Sequence, residues 1–399
     1  MITQALTRQT VRDIPLSHRT ALVRVDFNVP LQGRMVVDDT RIMAAVPTIR
    51  YLSESGARVV LLSHLGRPGG QRVARLSLRP CVPVLAQALG RPVSFCPDVI
   101  GPRPRRAITE MFWGDILLLE NTRFYPEEER NDPLFSRALS LQGDVFVNDA
   151  FGAAHRAHAS TVGIAQHLPA VAGFLIAREI TALGRLLEPE RPFVAIIGGA
   201  KVSDKLAVLH NLLRLVDRLL IGGGMANTFL AAQGFAMGNS LVERDQLPAA
   251  SAILSEAKDR GIEVLLPTDL EVAANFLETA EHRTVPVDAI PSDWMALDIG
   301  PETVHRFAEA IAGARTVFWN GPLGVAEWPN FAHGTAGVAQ AVADCPGTTV
   351  VGGGDSIAAV KRLGMTQRIG HLSTGGGASL EFLEGRELPG IACLNPRVA

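Results

Sequence analysis

Short apolar runs rich in β-branched residues alternate along the chain with segments whose apolar positions recur every three or four residues. This is the pattern of βα units built around parallel sheets. In the first half TALVRVDF (20–27), ARVVLLS (57–63), DILLLE (115–120) and DVFVND (144–149) predict strands, and helical periodicity near 41–55, 78–89 and 133–142 separates most of them. In the second half FVAIIGG, RLLIGGG, IEVLLPTD, RTVFWNG and TTVVGGG predict strands between the helical segments KLAVLHNLLRLV, PAASAILSEAKDRG, TVHRFAEAIAGA and DSIAAVKRLG. The pattern predicts two doubly wound α/β domains with parallel sheets. A helical stretch with proline punctuation, LPAVAGFLIAREITALGRLLEPERP (168–192), marks the join. The expected division is 1–170, a connecting segment 171–190, and 191–385, with the short tail 386–399 assigned to the first domain.

A length of 399 residues agrees with two domains, because single cores stop growing near ~250–300 residues. No apolar run approaches the ~18–20 residues of a membrane span, and MITQALTRQTVRD lacks the apolar core of a secretion signal. Four scattered cysteines (Cys81, Cys96, Cys345, Cys393) form neither a CxxC pair nor a disulfide framework, which suits a reducing compartment. The expectation is a cytoplasmic protein with no membrane partner, and monomer is the default. The net charge of −2 hides an asymmetry: residues 1–180 carry 21 Arg, no Lys and 16 acidic residues, a balance of +5, and the remainder carries −7. A basic half suits an anionic ligand. No Lys/Arg tract or aromatic-basic interleaving supports nucleic acid as a partner.

In parallel α/β sheets ligands bind at the carboxyl ends of the strands, where the loops vary and helix N-termini point. Four predicted strands of the second half run into glycine: Gly198-Gly199, Gly222-Gly223-Gly224, Gly352-Gly353-Gly354 and Gly375-Gly376-Gly377. Turns without Cβ atoms let backbone N–H groups approach an oxyanion, so phosphate or nucleotide is the expected ligand. None of the loops reads GxGxxG, since Asn227, Ile357 and Leu380 stand where the third glycine would fall, and none reads GxxxxGK[ST]. A dinucleotide dehydrogenase and a Walker-type ATPase are thereby disfavoured.

Only four lysines occur beside 34 arginines, and two of them, Lys201 and Lys205, lie in GGAKVSDK. On a helix beginning there they would share one face, an arrangement that local electrostatics opposes unless an anion is bound. Asp355 suits an N-cap, and beside a polyphosphate its carboxylate could also hold Mg²⁺. In the first half the strand ends lead to Asp26 and Asn28, His64 and Arg67, Arg123, and His155, Arg156 and His158, and Arg41 opens a helix. Clustered arginines predict a pocket for a small polyanionic acid. His155 and His158 lack companions at metal-ligand spacing, and Glu127-Glu128-Glu129 is expected to be a solvated loop.

Taken in order, RVDFNVP, SHLGRP, LLENTRFYPEEE, NDAFGAAHRAHAST, GGAKVSDK, GGGMANTFL, WNGPLGV, GGGDS and STGGGASLEFLEG resemble the phosphoglycerate kinase family over roughly residues 20–385. Leu323 and Ala326 replace the family's commoner Met and Phe, and Ser356 a usual Thr. The resemblance implies two Rossmann-like domains facing each other across a cleft. It also implies reversible, Mg²⁺-dependent phosphoryl transfer from 1,3-bisphosphoglycerate to ADP, giving 3-phosphoglycerate and ATP, with hinge closure on binding. By motif, Asp26, Phe27, Asn28, Arg41, His64, Leu65, Gly66, Arg67, Arg123 and Arg156 would bind the glycerate substrate. Gly199, Ala200, Lys201, Lys205, Gly222, Gly223, Gly300, Asn320, Glu327, Gly353, Gly354, Asp355 and Ser356 would bind nucleotide, with Asp355 at the metal. Arg41, Lys201 and Lys205 would be catalytic, and Gly376 and Gly377 would meet the transition-state phosphate. The rivals are a binding protein that has kept the fold without the chemistry, which would have lost Arg41, Lys201 or Asp355, and a nicotinamide dehydrogenase.

Overall fold

A computed structural model describes residues 8–397. The chain divides into two compact units, one running to Thr181 and resuming at Glu387, the other from Ala182 to Arg386. In the first unit the strands are β1 (Thr20–Arg24), β2 (Leu31–Gln32), β3 (Met35–Val36), β4 (Arg58–Leu62), β5 (Ser94–Cys96), β6 (Ile116–Leu119), β7 (Val145–Asn148) and β8 (Ala170–Ala172). Six of them form a sheet in the order β5-β6-β4-β1-β7-β8, parallel throughout, and β2 and β3 make a small hairpin. All five residues of β1 and all four of β6 and β7 are buried. Strands covered by helices on both faces read as continuous apolar runs, which is why they were visible in the sequence.

The second unit contains β9 (Phe193–Ile197), β10 (Arg218–Ile221), β11 (Glu263–Leu265), β12 (Asp269–Ala273), β13 (His282–Pro286), β14 (Met295–Ile299), β15 (Thr316–Asn320), β16 (Thr348–Gly352) and β17 (His371–Leu372). A parallel sheet runs β11-β10-β9-β15-β16-β17, and a separate antiparallel sheet runs β13-β12-β14. In each parallel sheet the order reverses at one strand: β4 and β7 flank β1, and β10 and β15 flank β9. That crevice is where α/β sheets bind ligands.

Four departures from the sequence reading concern the elements themselves. IEVLLPTD is two strands, because Pro267 cannot donate to a ladder and the chain leaves the parallel sheet there, entering the antiparallel one at Asp269. The second sheet carried no parallel-strand signature and was not expected. Residues 170–172, read as part of a helical stretch, are β8, and the helix begins at Phe174. Glu128 is not solvated: it is fully buried, with its neighbours on the helical turn Pro126–Glu129 facing outward.

One buried carboxyl ties β7 to the following helix. Asp149 Oδ1 accepts the N–H groups of Leu175 at 2.8 Å and Ile176 at 3.3 Å, in the first turn of Phe174–Leu187. Burial pushes its pKa up from 3.8 to about 7, against the opposing pull of these bonds. Between those values the folded state binds the extra proton, so its contribution to stability falls as pH rises through the window. Asp149→Asn keeps the acceptor and cannot ionise. It should melt close to wild type at pH 5 and above wild type at pH 8.5, as measured by thermal unfolding at both pH values.

Candidate functional site

On the first unit the polar residues predicted from the strand ends gather on one edge. After β1, Asp26 accepts the Asn28 N–H at 3.1 Å and pairs with Arg41 at 2.6 Å, and Asn28 Oδ1 accepts the Gly66 N–H at 2.9 Å. Burial would raise the Asp26 pKa, but the Arg41 and Arg24 guanidiniums and the Asn28 N–H outweigh it and hold the carboxyl below its usual value. Phe27 and Leu65 are buried supports of these two loops, with the Phe27 N–H donating to Ser63 Oγ at 2.8 Å. After β6, Arg123 is only 3% exposed; Nη1 donates to the Gly66 carbonyl at 2.8 Å and Nε lies 3.1 Å from Glu129, while Nη2 has no hydrogen-bond partner among the described residues. Desolvation and the nearby Arg156 push its pKa down to about 10. Arg67 is exposed and Arg156 half-buried, its Nε against His155 Nε2 at 3.1 Å.

Beneath this edge lies a network that motif reasoning missed. Arg24, in the middle of an apolar run, is completely buried: Nε donates to Ser160 Oγ at 2.8 Å, Nη1 to the Val25 carbonyl, and Nη2 meets His64 Nδ1 at 3.0 Å. Glu128 accepts Thr122 Oγ1 at 3.2 Å, the Ser160 N–H at 3.0 Å and the Ser160 hydroxyl. Desolvation and the surrounding guanidiniums hold the His64 pKa well below normal, so the ring is neutral and can accept from Arg24. A charged residue inside a buried strand was the available signal, since such a residue must find partners.

On the second unit β9, β10, β16 and β17 end on one edge, and a cavity of about 510 Å³ opens there. Gly199, Ala200, Gly223, Gly224 and Asp355 line one end; Leu241, Leu270, Phe276, Met295, Leu297 and Leu323 make the rest predominantly apolar, with Glu327 at its border. The antiparallel sheet supplies much of the apolar wall, so the slot depends on strands the periodicity did not reveal.

The glycine turns do more than admit a ligand. The N–H groups of Gly198, Gly199, Gly222 and Gly223 donate to the carbonyls of Asn320, Pro322, Ile197 and Leu323 at 2.8–3.0 Å, so they are spent on lacing the loops together. A Cβ on Gly198 would stand 2.1 Å from the Pro322 carbonyl oxygen, and on Gly223, whose φ is +68°, 2.8 Å from the Gly199 backbone. Gly222 packs under Leu323 and Gly300 against Asp269, neither lining the cavity. Gly353 (φ +89°) precedes the helix Gly354–Arg362, where the first-turn N–H groups lack intrahelical acceptors. Gly376 and Gly377 open the helix Gly377–Leu383 with free space where a Cβ would be.

The two lysines do not share a helix face. The helix is Leu206–Leu212, with Lys205 at its N-cap and Lys201 in the preceding loop, because Glu243 accepts the N–H groups of Val202 and Ser203 and holds them out of helical bonding. Lys205 folds inward, donating to the carbonyl of Gly198 at 2.7 Å, to Asn320 Oδ1 at 2.7 Å and to the Asn320 carbonyl at 3.1 Å. Desolvation lowers its pKa to about 8, against the pull of Asp204 and Asp355. Lys201 is exposed, with no hydrogen bond or ion pair among the described residues. Asn320 Nδ2 is a buried donor without a hydrogen-bond partner among the described residues, 3.2 Å from where a Gly353 Cβ would lie. Asp355 is not the N-cap; Gly353 is, and the Asp355 carboxylate is left exposed at the cavity. Ser356 Oγ instead accepts the Gly321 N–H at 2.7 Å.

An arginine-rich anion face on one parallel α/β unit, and on the other an apolar slot ending in glycine turns and a lysine, define a two-unit phosphotransferase. A sequence profile described as phosphoglycerate kinase matches residues 11–386. The phosphoglycerate kinases of Moorella thermoacetica and Roseiflexus castenholzii are 58% and 56% identical over 393 residues, 98% of this chain and 100% of each relative. Solved structures of the enzymes from Coxiella burnetii (TM-score 0.88, 40% identity) and Pyrococcus horikoshii (0.87, 36%) each cover 97% of this chain and 98% of their own. The chain belongs to the phosphoglycerate kinase family. Its reaction is that of the family, a glycolytic exchange of a phosphoryl group between 1,3-bisphosphoglycerate and ADP. Among the described residues no helix is long and apolar enough to cross a membrane.

Gly198→Ala should lower stability by about 1–3 kcal/mol through overpacking against Pro322. A fall in the thermal midpoint of several degrees checks this; an unchanged midpoint would show that the loop yields.

Proposed function

We propose that the first unit's edge binds the three-carbon acid phosphate and the second unit's slot binds the nucleotide, in the roles the motifs imply. Asp26, Asn28, Arg41, His64, Arg67, Arg123 and Arg156 take the glycerate substrate, with Phe27, Leu65 and Gly66 shaping the loops that carry them. The unpaired Nη2 of Arg123 is a fork ready for a phosphate or carboxylate oxygen. On the nucleotide side the base lies in the apolar slot. The phosphates lie toward Gly199, Ala200 and the turn Gly353–Ser356, where Asn320 Nδ2 offers its unmatched donor.

The observation that carries this reading is the pair of charges left uncommitted beside the slot, the Lys201 ammonium and the Asp355 carboxylate. Mg²⁺ is the usual partner of kinase chemistry, and one uncommitted carboxylate fits it, because this ion keeps most of its water and phosphate ligands and takes only one or two from protein. Asp355 would hold it, and the ion would supply neutralisation of the bridging phosphate charge. Lys201 and Arg41 meet the phosphoryl group, and Gly376 and Gly377 contribute backbone donors to it. Lys205 acts from beneath the Gly198 turn, setting Asn320 and adding positive charge. Acyl phosphate carries a good leaving group, so positioning and charge cancellation suffice without a general base. The protein works as a cytoplasmic monomer on small molecules, with neither nucleic acid nor membrane as partner.

ATP- and 3-phosphoglycerate-dependent NADH oxidation, coupled through glyceraldehyde-phosphate dehydrogenase, tests the roles. Lys201→Ala or Arg41→Ala should lower kcat by ~10²-fold or more, as loss of a charged transition-state contact does. Wild-type turnover in either variant would remove that residue from the reaction. Because Lys205 loses its proton above about pH 8, the KM for MgATP should rise as pH climbs past that value; a flat KM to pH 9.5 would show that its charge does not serve the nucleotide.

A further inference from the structure

The loop from β9 to the helix Leu206–Leu212 carries two ammonium groups in opposite senses, one inward and one outward, and a single carboxylate fixes its course. Glu243 Oε2 accepts the N–H of Val202 at 2.6 Å and of Ser203 at 3.1 Å, while Oε1 accepts the Ser203 hydroxyl at 2.6 Å. Two successive N–H groups on one carboxylate oxygen make an anion nest whose anion the protein itself provides. Glu243 is anchored in turn, its N–H donating at 3.1 Å to Thr228 Oγ1, a buried residue of the helix Gly224–Ala232. The Val202 side chain is fully buried below the nest, and the Lys205 N–H returns to the Val202 carbonyl at 2.9 Å. The chain just before Glu243 supplies Asn239 and Leu241 to the wall of the slot, and Ala200, next to Lys201, lines the same slot.

We propose that Glu243 is a positioning residue for phosphoryl transfer. It holds residues 202–203 so that Lys201 stands free beside Ala200, and it joins that loop to the slot wall at Asn239 and Leu241. The proposal rests on the assignment of Lys201 to the moving phosphoryl group.

Steady-state kinetics of the full chain with MgATP and 3-phosphoglycerate test it, with thermal unfolding of each variant. Glu243→Ala should lower kcat ~10-fold or more while the KM for MgATP changes less than ~3-fold, because the interaction lost is one felt in the transition state. Glu243→Gln should return kcat to within ~3-fold of wild type, since its amide oxygen can accept both N–H groups and its NH2 can donate to Ser203. In a Lys201→Ala background, Glu243→Ala should cost less than ~2-fold more, the non-additivity of residues acting through one another. The proposal is overturned by an additive loss in that double variant, by a kcat for Glu243→Ala within 2-fold of wild type, or by a Gln variant as impaired as Ala. Should Glu243→Ala not fold, Glu243→Asp, one methylene too short for the same contacts, takes its place under the same criteria. Full activity of Lys201→Ala alone would refute the role of Lys201 itself, a separate and recognisable result.

Discussion

Parallel pairing is the constraint on which both units rest. When six strands run in one direction, every strand ends on the same edge, and the loops that leave it have no choice but to be neighbours. In the first unit this brings together residues as distant in sequence as Asp26, His64, Arg123 and Arg156, and in the second Gly199, Gly223, Asn320 and Gly353. A parallel ladder also demands covered faces, and hence the unbroken burial of β1, β6, β7, β9 and β15. The chemistry stands at the edge because the rest of each strand is occupied with packing.

Concentrating positive charge on one edge has an electrostatic cost, and the first unit meets it with buried partners. Arg24 and Glu128 are both fully buried, and each is satisfied through Ser160 as well as by the opposite charge. Removing one member of such a pair leaves an uncompensated charge, typically a loss of about 3–5 kcal/mol. His64, packed against Arg24, remains neutral, which spares the edge one more positive charge and leaves its Nδ1 as an acceptor. Arg67 is exposed and Arg156 half-buried on the same edge, over a layer whose buried charges are matched.

The second unit solves a different problem. Its glycine turns lie so close that their backbones bond one another, and the missing Cβ atoms serve this contact at Gly198, Gly222 and Gly223, while a Cβ on Gly353 would crowd Asn320 Nδ2 at 3.2 Å. Lys205 ties these turns together, its ammonium spanning the Gly198 carbonyl and Asn320 at the point where β9, β15 and β16 finish.

Periodicity determined the two parallel α/β units, because those depend on local propensity, while charge composition and the residues that follow each apolar run pointed to an anionic ligand at the strand ends. The resemblance added the family and the residue roles. Only the tertiary structure decided that Glu128 is buried, that Lys201 and Lys205 point apart, that Asp355 is free because Gly353 takes the cap, and that an antiparallel sheet walls the slot. The first two turn on partners far along the chain: Ser160 for Glu128, and Glu243 and Asn320 for the two lysines. A local pattern records which face a residue would present if its element ran on. It holds no record of the distant carbonyl or carboxylate that stops the helix and turns the side chain.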